Sequence, residues 1–283
     1  MRGVRRVLAS LLFVLVAAYL GLLLLLRLNE PRLLYYPGPR GALLPPPPGL
    51  ALPIERVGLR TGDGVGLGAW VIRTDDAAPW LLICHGNGGN ISDAGRPFHY
   101  AGLRAAGLNL LAFDYRGYGE SEGTPSEAGL YLDAEAAYRF LRDSLGVPAG
   151  RIVLFGHSLG SAVAVELARR VPAAGLVLDG ALTSVPDRAQ EIYPYLPVRW
   201  IAASRYASRD KIGGLTLPKL FLHAEHDEVV PIAHGRRLFA AAPEPKRFVT
   251  LAGGHADAFE RDSAVYFGEI RRFVAELGGQ ASP

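Results

Sequence analysis

The chain is poor in cysteine and carries little net charge. Cys84 is the only cysteine among 283 residues, which excludes an internal disulfide and any C-x-x-C metal or redox site. The formal net charge is +3, and no basic stripe with interleaved aromatic residues is present, so nothing indicates a nucleic-acid partner. The sequence also lacks a metal-ligand cluster and a phosphate-binding loop. We therefore expect neither nucleic acid nor a cofactor to bind.

A long apolar run stands near the N-terminus. Residues 7–26 contain only Ser10 and Tyr19 as polar side chains and follow three arginines. As a helix the run would span about 30 Å, which is enough to cross a bilayer. A cleaved signal peptide is the alternative, but it is normally shorter and ends in a small-x-small site, and here leucines run directly into Arg27. The sequence therefore predicts a single-pass membrane anchor over residues 1–30.

The orientation of this anchor is only weakly indicated. Three arginines precede the span, and Arg27, Arg32 and Arg40 follow it. The free amino terminus adds one positive charge to the leading side, which favours an N-terminus inside and an extracytoplasmic domain. Residues 31–53 are predicted to be a stiff, proline-rich linker that holds the domain off the membrane, because four prolines follow one another at 45–48.

Short apolar segments alternate with helical patterns over residues 54–283. This alternation predicts an α/β domain with a mostly parallel sheet covered by helices on both faces. The predicted strands are 54–60, 67–73, 80–84, 108–113, 152–155, 175–179, 217–223 and 247–251. The predicted helices include 127–145 and an amphipathic last helix over 261–277. In such sheets the active site lies at the carboxyl ends of the strands, where this chain has Asn87, Asp114, Ser158, Asp179, Asp227 and His255.

The pattern Gly-x-Ser-x-Gly occurs twice, at Ser158 and at Ser121. Ser158 follows a buried strand and precedes a helical pattern, which is the context of a nucleophile elbow. Ser121 lies between two glutamates, which would repel an oxyanion, and a proline soon after it prevents a helix from starting there. Ser158 is therefore the predicted nucleophile.

A serine hydroxyl needs a general base, and His255 is the predicted one. It lies in a flexible loop between the last strand and the last helix, and it follows the serine in chain order. Among the other histidines, His85 is expected to order the glycine-rich loop that it begins. His157 is expected to point away on the sharp turn, and His223 to be a core histidine.

The acid that orients this histidine is predicted to be Asp227, which follows the strand 217–223. Asp179, at the end of the preceding strand, is the competing candidate. Asp257 is expected to serve loop structure or to cap the last helix.

The oxyanion hole requires two backbone N–H groups. One is expected from Leu159, directly after the nucleophile, and the other from Asn87 in the loop after the third strand.

Five motifs occur in order: HGNGGNIS, DYRGYGESEGTPSEAGLYLDAEAAY, GHSLG, DEVVP and GGH. With them the chain resembles the serine α/β-hydrolases, and closely the membrane-anchored Bem46/ABHD13-like group. The resemblance covers about residues 54–277 and implies the α/β-hydrolase fold, the same triad, and a structural role for residues 114–117. Two positions depart from the group: Ser161, where a third glycine is frequent, which leaves the closer helix–strand packing in question, and Ala224, where a glycine is usual.

The expected activity is hydrolysis of an ester or thioester of a small-molecule or lipid-like acyl substrate, through an acyl-enzyme. Residues 180–216 are aromatic and apolar and are predicted to form a short lid lining an acyl pocket; an ordinary helix with a core face is the alternative. A membrane-tethered, non-enzymatic scaffold and an amidase or peptidase of the same fold remain alternative functions.

Overall fold

The computed structural model describes residues 2–39, 41, 43–93 and 95–279. An eight-stranded sheet forms its centre, with strand order β1-β2-β4-β3-β5-β6-β7-β8. The strands are β1 Ile54–Arg60, β2 Gly66–Ile72, β3 Trp80–Cys84, β4 Asn109–Phe113, β5 Ile152–His157, β6 Gly175–Asp179, β7 Lys219–Ala224 and β8 Lys246–Leu251. Only β1 with β2 and β2 with β4 pair antiparallel, and all other neighbours are parallel. The predicted α/β architecture is thereby confirmed.

Helices cover both faces of the sheet. They are α1 Arg2–Leu34, α2 Arg96–Ala105, α3 Glu127–Arg139, α4 Leu159–Arg170, α5 Val185–Ile192, α6 Val198–Ile201, α7 Ser208–Ile212, α8 Ile232–Ala241, α9 Ala258–Arg261 and α10 Ser263–Gly279. The sequence predicted a single helix over 127–145, but α3 passes at Phe140 into one turn of π-helix. The predicted last helix, 261–277, corresponds to α10, which begins and ends two residues later, and the short helix α9 precedes it.

The two sheet faces have separate apolar cores because side chains alternate along a strand. Leu82 and Leu154 point into one core, beneath α3 and α4, whereas Leu81 and Val153 point into the other, beneath α2 and α10. All five residues of β3 are buried, as expected of a central strand with helices on both sides. The rigid centre of the sheet thus fixes where the loops after β3, β5 and β6 begin.

The segment after α1 differs from the predicted spacer. The helix continues through Pro31 to Leu34, four residues past the predicted end of the anchor at residue 30. Tyr35 is buried, and its hydroxyl lies 2.8 Å from that of Tyr206. Farther along, the N–H of Leu44 donates to the Ser92 hydroxyl at 2.7 Å. The segment therefore packs against the domain instead of holding it away.

Candidate active site

Ser158 occupies the sharp turn between β5 and α4. Its backbone has φ 53° and ψ −122°, a strained conformation that few side chains adopt. The turn requires glycine at position 160, because the backbone there passes so close to β3 that an added Cβ would lie 2.0 Å from the carbonyl oxygen of Cys84. Ser161 donates from its hydroxyl to the Ser158 carbonyl oxygen at 2.6 Å. A serine at position 161 therefore fits the turn and supports it.

The structure brings three of the predicted residues into one hydrogen-bonded row. The Ser158 hydroxyl lies 2.8 Å from Nε2 of His255, and Nδ1 of His255 lies 2.7 Å from Oδ2 of Asp227. A carboxylate only accepts, so the proton on the ring belongs to Nδ1, and Nε2 is left as an acceptor for the serine hydroxyl. This is the arrangement in which an imidazole can take a proton from a serine.

The carboxylate of Asp227 is itself held in place. Its Oδ1 accepts hydrogen bonds from the N–H groups of Val229 and Val230, at 2.9 and 2.6 Å. His223 fixes the same loop from inside the core, because its Nε2–H donates to the Val230 carbonyl oxygen at 2.8 Å. His223 is therefore a buried structural histidine, in agreement with the sequence interpretation.

The two predicted oxyanion donors border one cavity together with Ser158. Leu159 is the first residue of α4, so its N–H has no acceptor inside the helix and lies at the positive end of the helix dipole. The N–H of Asn87 donates no hydrogen bond within the described part of the chain. Both groups are thus available to a ligand oxygen at the serine.

Tyrosines from the loop after β4 hold the loop that carries Asn87. Tyr115 donates from its hydroxyl to the His85 carbonyl oxygen at 2.9 Å, and Tyr118 donates to the Asn87 carbonyl oxygen at 2.8 Å. Arg116 lies between them in sequence and forms ion pairs with Asp63 and Asp133. The residues between β4 and α3 therefore position the site without bordering the serine, in line with the structural role that the resemblance implied.

Ser121 stabilises the loop after β4. Its hydroxyl donates to the Asp114 carbonyl oxygen at 2.8 Å and accepts from the N–H of Gly68 at 3.0 Å. The second Gly-x-Ser-x-Gly copy is therefore a buried structural serine, bonded to backbone on both sides.

Sequence reasoning missed the position of His157. It does not point away: its ring centroid lies 4.9 Å from that of His255, and its Nδ1 lies 3.0 Å from Oδ2 of Asp179. Asp179 also accepts from the Tyr266 hydroxyl at 2.9 Å, so its carboxylate serves this second pair and makes no hydrogen bond to His255 within the described residues. The register of β5 and β6 places His157 opposite Asp179, a pairing that only the tertiary structure sets.

Burial and hydrogen bonding set the charges of this second network. Burial opposes ionisation of Asp179, but the charge and hydrogen bond of His157, with help from Tyr266, lower the pKa of the carboxyl below its usual value. Burial lowers the pKa of His99 to about 3, so this ring is neutral where its Nε2 meets the Tyr266 hydroxyl at 3.0 Å. The network therefore presents one carboxylate, held between a histidine and a tyrosine, beside the serine–histidine pair.

Two cavities meet at this pair. The larger, of about 430 Å³, is mostly apolar and is bordered by Ser158, helices α5 and α6 and the end of α1. The smaller, of about 290 Å³, is also mostly apolar, but His255, Arg96, His99 and His157 are among the side chains that border it. Ser158 thus borders the larger cavity and its partner His255 the smaller one. Among the described residues no group of three or more His, Cys, Asp or Glu is arranged to hold a metal ion.

Comparisons with known proteins agree with this geometry. Residues 81–277 match the alpha/beta hydrolase family. The chain is 39% identical over 260 residues to the uncharacterized protein Rv2307c of Mycobacterium tuberculosis, covering 90% of this chain and 91% of that protein. It is 32% identical over 257 residues to protein bem46 of Schizosaccharomyces pombe, covering 86% and 85%.

A lipase and an esterase are also similar. Over 186 residues the chain is 36% identical to the lysophosphatidylserine lipase ABHD12 of Danio rerio, covering 59% of this chain and 48% of that protein. The esterase Pf2001 of Pyrococcus furiosus superimposes with a TM-score of 0.68 at 21% identity, covering 86% of this chain and 98% of that one. The esterase likeness concerns the fold alone.

Proposed function

The chain belongs to the alpha/beta hydrolase family, and on this basis we propose that it is a serine hydrolase that cleaves carboxylic ester or thioester bonds of acyl substrates. The observation that carries the proposal is the row from Ser158 through His255 to Asp227, with both hydrogen bonds at 2.8 Å or less. Ser158, His255 and Asp227 would act as nucleophile, base and acid.

In the first half of the proposed reaction, Nε2 of His255 takes the hydroxyl proton as Oγ of Ser158 attacks the acyl carbon. The carbonyl oxygen becomes an oxyanion, which the N–H groups of Leu159 and Asn87 stabilise. Asp227 holds Nδ1–H in place and stabilises the imidazolium. Collapse of the intermediate breaks the bond to the leaving group, which receives the proton from Nε2, and the acyl group stays on Ser158.

In the second half, water attacks the acyl-enzyme after giving a proton to His255. The same two N–H groups bind the new oxyanion. When the ester bond to Ser158 breaks, the proton returns to the serine oxygen and the carboxylic acid leaves. His255 thus accepts and donates the proton in both half-reactions, and neither half-reaction requires a further acid or base.

The larger cavity supports an acyl substrate. This mostly apolar cavity of about 430 Å³ reaches Ser158 and lies within the ~300–1,000 Å³ usual for small-molecule sites. The smaller cavity lies on the His255 side, which is the side from which the leaving group is protonated, and Arg96, His99 and His157 are among the side chains that border it. A relative named for lysophosphatidylserine lipase activity agrees with this class of substrate.

The proposal includes retention of α1 as a single-pass membrane anchor. The helix is long and apolar enough to span a bilayer, and none of its most hydrophobic stretch is buried in the protein. Its last turn packs on the domain, since the Leu34 carbonyl oxygen accepts a hydrogen bond from the Asn87 side chain at 2.9 Å. Loss of the helix would remove that contact. Three arginines lie on each side of the span, and the positive charge of the amino terminus favours an extracytoplasmic domain.

Labelling with a fluorophosphonate probe and hydrolysis of p-nitrophenyl butyrate test the proposed function. We expect wild type and Ser121→Ala to react with the probe, and Ser158→Ala to be unreactive. A folded wild-type protein that neither labels nor hydrolyses esters would favour the scaffold alternative. Faster cleavage of matched anilides than of esters would favour the amidase alternative.

A further inference from the structure

One face of the last turns of α1 is turned toward the domain. Leu23, Leu26, Glu30 and Leu34 are partly covered and recur at spacings of three and four residues, which places them in one stripe along the helix. Apart from Asn29, which is also partly covered, the residues between them are exposed, and Leu25 is 59% exposed. The C-terminal end of α1 is therefore asymmetric in its contacts.

This inner face borders the apolar cavity. Leu26, Glu30 and Leu34 of this face line the cavity, and Ile192 and Leu196 of the predicted lid line it as well. The same cavity ends at Ser158 and at the two predicted oxyanion donors. A continuous apolar space thus connects the membrane helix with the nucleophile.

Glu30 joins α1 to the lid. Its carboxylate accepts hydrogen bonds from the N–H groups of Ala203 and Ser204, at 2.5 and 2.6 Å. Bonds from two N–H groups to one ionised carboxylate are strong and directional. Because Ala203 and Ser204 follow α6, the lid and the helix are held at a fixed separation. The cavity between α1 and the lid is therefore a defined part of the fold.

The tip of the lid stands beside the apolar part of α1. Tyr195 and Trp200 are 92% and 90% exposed. The Tyr195 carbonyl oxygen accepts a hydrogen bond from the Tyr19 hydroxyl at 3.4 Å. Tyr19 precedes Leu26 by seven residues, so the lid tip lies about 10 Å farther along the helix, inside the predicted span. Tyrosine and tryptophan favour the membrane interface, which gives these exposed rings an apolar environment.

We propose that α1 and the lid form an acyl-binding entrance that opens to the bilayer. The acyl chain of a membrane-resident ester passes between Leu26 and the lid tip and reaches Ser158 without crossing water. α1 is then part of the acyl site as well as the anchor. This inference rests on the proposed ester hydrolysis.

The test uses full-length protein in phosphatidylcholine vesicles and two esters with the same leaving group, p-nitrophenyl palmitate and p-nitrophenyl butyrate. The readout is the ratio of kcat/KM for the long ester to that for the short ester. Leu26→Trp fills the wall of the cavity and should lower this ratio about tenfold. Leu25→Trp, the matched change on the outer face, should leave the ratio unchanged.

A second variant tests the route from the bilayer. Trp200→Ser should slow palmitate cleavage in vesicles several-fold more than in detergent micelles, because only vesicles require the lid tip to meet a bilayer. The proposed entrance is wrong if Leu26→Trp leaves the ratio unchanged, or if Trp200→Ser slows palmitate cleavage equally in vesicles and micelles. The proposed ester hydrolysis is not affected by either result. Wild type inactive on both esters would overturn the proposed function and this inference together.

Discussion

The side-chain amide of Asn87 donates a hydrogen bond to the carbonyl oxygen of Leu34, across 2.9 Å. The Asn87 carbonyl oxygen in turn accepts from the N–H of Tyr36 at 3.0 Å. The last residue of α1 therefore binds directly to the loop that carries a predicted oxyanion donor. With its side chain and carbonyl engaged in this way, Asn87 keeps its N–H for the cavity.

The first prediction concerns this bond. Asn87→Ala keeps the backbone N–H but frees the loop from α1, so we expect kcat for p-nitrophenyl butyrate to fall about five- to tenfold. Asn87→Asp, which has the same shape, would place a carboxylate against the Leu34 carbonyl oxygen and should be worse. Circular dichroism serves as the folding control. An unchanged kcat in both variants would contradict the positioning role.

The second prediction separates the two carboxylates at the strand ends. Asp227→Asn should lower kcat by about 10⁴, because His255 then loses the partner that fixes its tautomer. Asp179→Asn removes the partner of His157 instead, and the loss should be about tenfold or less. Both variants are measured on one short ester. A folded Asp179→Asn without activity, beside an active Asp227→Asn, would move the acid to β6.

The third prediction concerns the support of the elbow. Ser161→Ala removes the hydrogen bond to the Ser158 carbonyl oxygen, which measures 2.6 Å and is fully buried. We expect a loss of about 1 kcal/mol in the free energy of unfolding. Urea denaturation of Ser161→Ala and of the exposed-site control Ser263→Ala measures it. Equal stability of the two variants would show that the bond contributes nothing net.

The fourth prediction concerns the anchor. Protein expressed in a bacterial membrane should resist carbonate extraction and keep the residues of α1, because the helix is long and apolar enough to span a bilayer and its last turn is bonded to the domain. Extraction followed by N-terminal sequencing decides this. Soluble protein that begins after residue 30 would mean that the segment is a cleaved leader.

Much of the fold could be predicted from the sequence because the central strands are rich in apolar residues. The bounds of β3 and β6 were predicted to the residue, since each is bounded by polar or glycine-rich turns and has buried faces on both sides. Helix ends were less predictable. At Phe140 the helical pattern continues while the backbone widens into a π-turn, a change that the apolar spacing does not record.

The candidate site could likewise be predicted only in part from the sequence. The elbow motif and the chain order of Ser158, Asp227 and His255 were sufficient to predict their meeting, although their catalytic roles stay predictions. The pairing of His157 with Asp179, and that of Leu34 with Asn87, were not predicted. Both depend on how segments that are distant in sequence pack together, and the sequence around a single polar residue does not indicate which residue it will contact.

What the sequence by itself determined was local: which stretches are apolar enough to be buried strands or a membrane helix, and which turn holds a serine before a helix. The tertiary structure alone decided that the end of α1 lies on the lid and the oxyanion loop. The physical reason is that over residues 7–26 the helix is apolar on all sides apart from Ser10 and Tyr19. Only contacts such as those of Glu30 with the lid backbone select which side faces the protein.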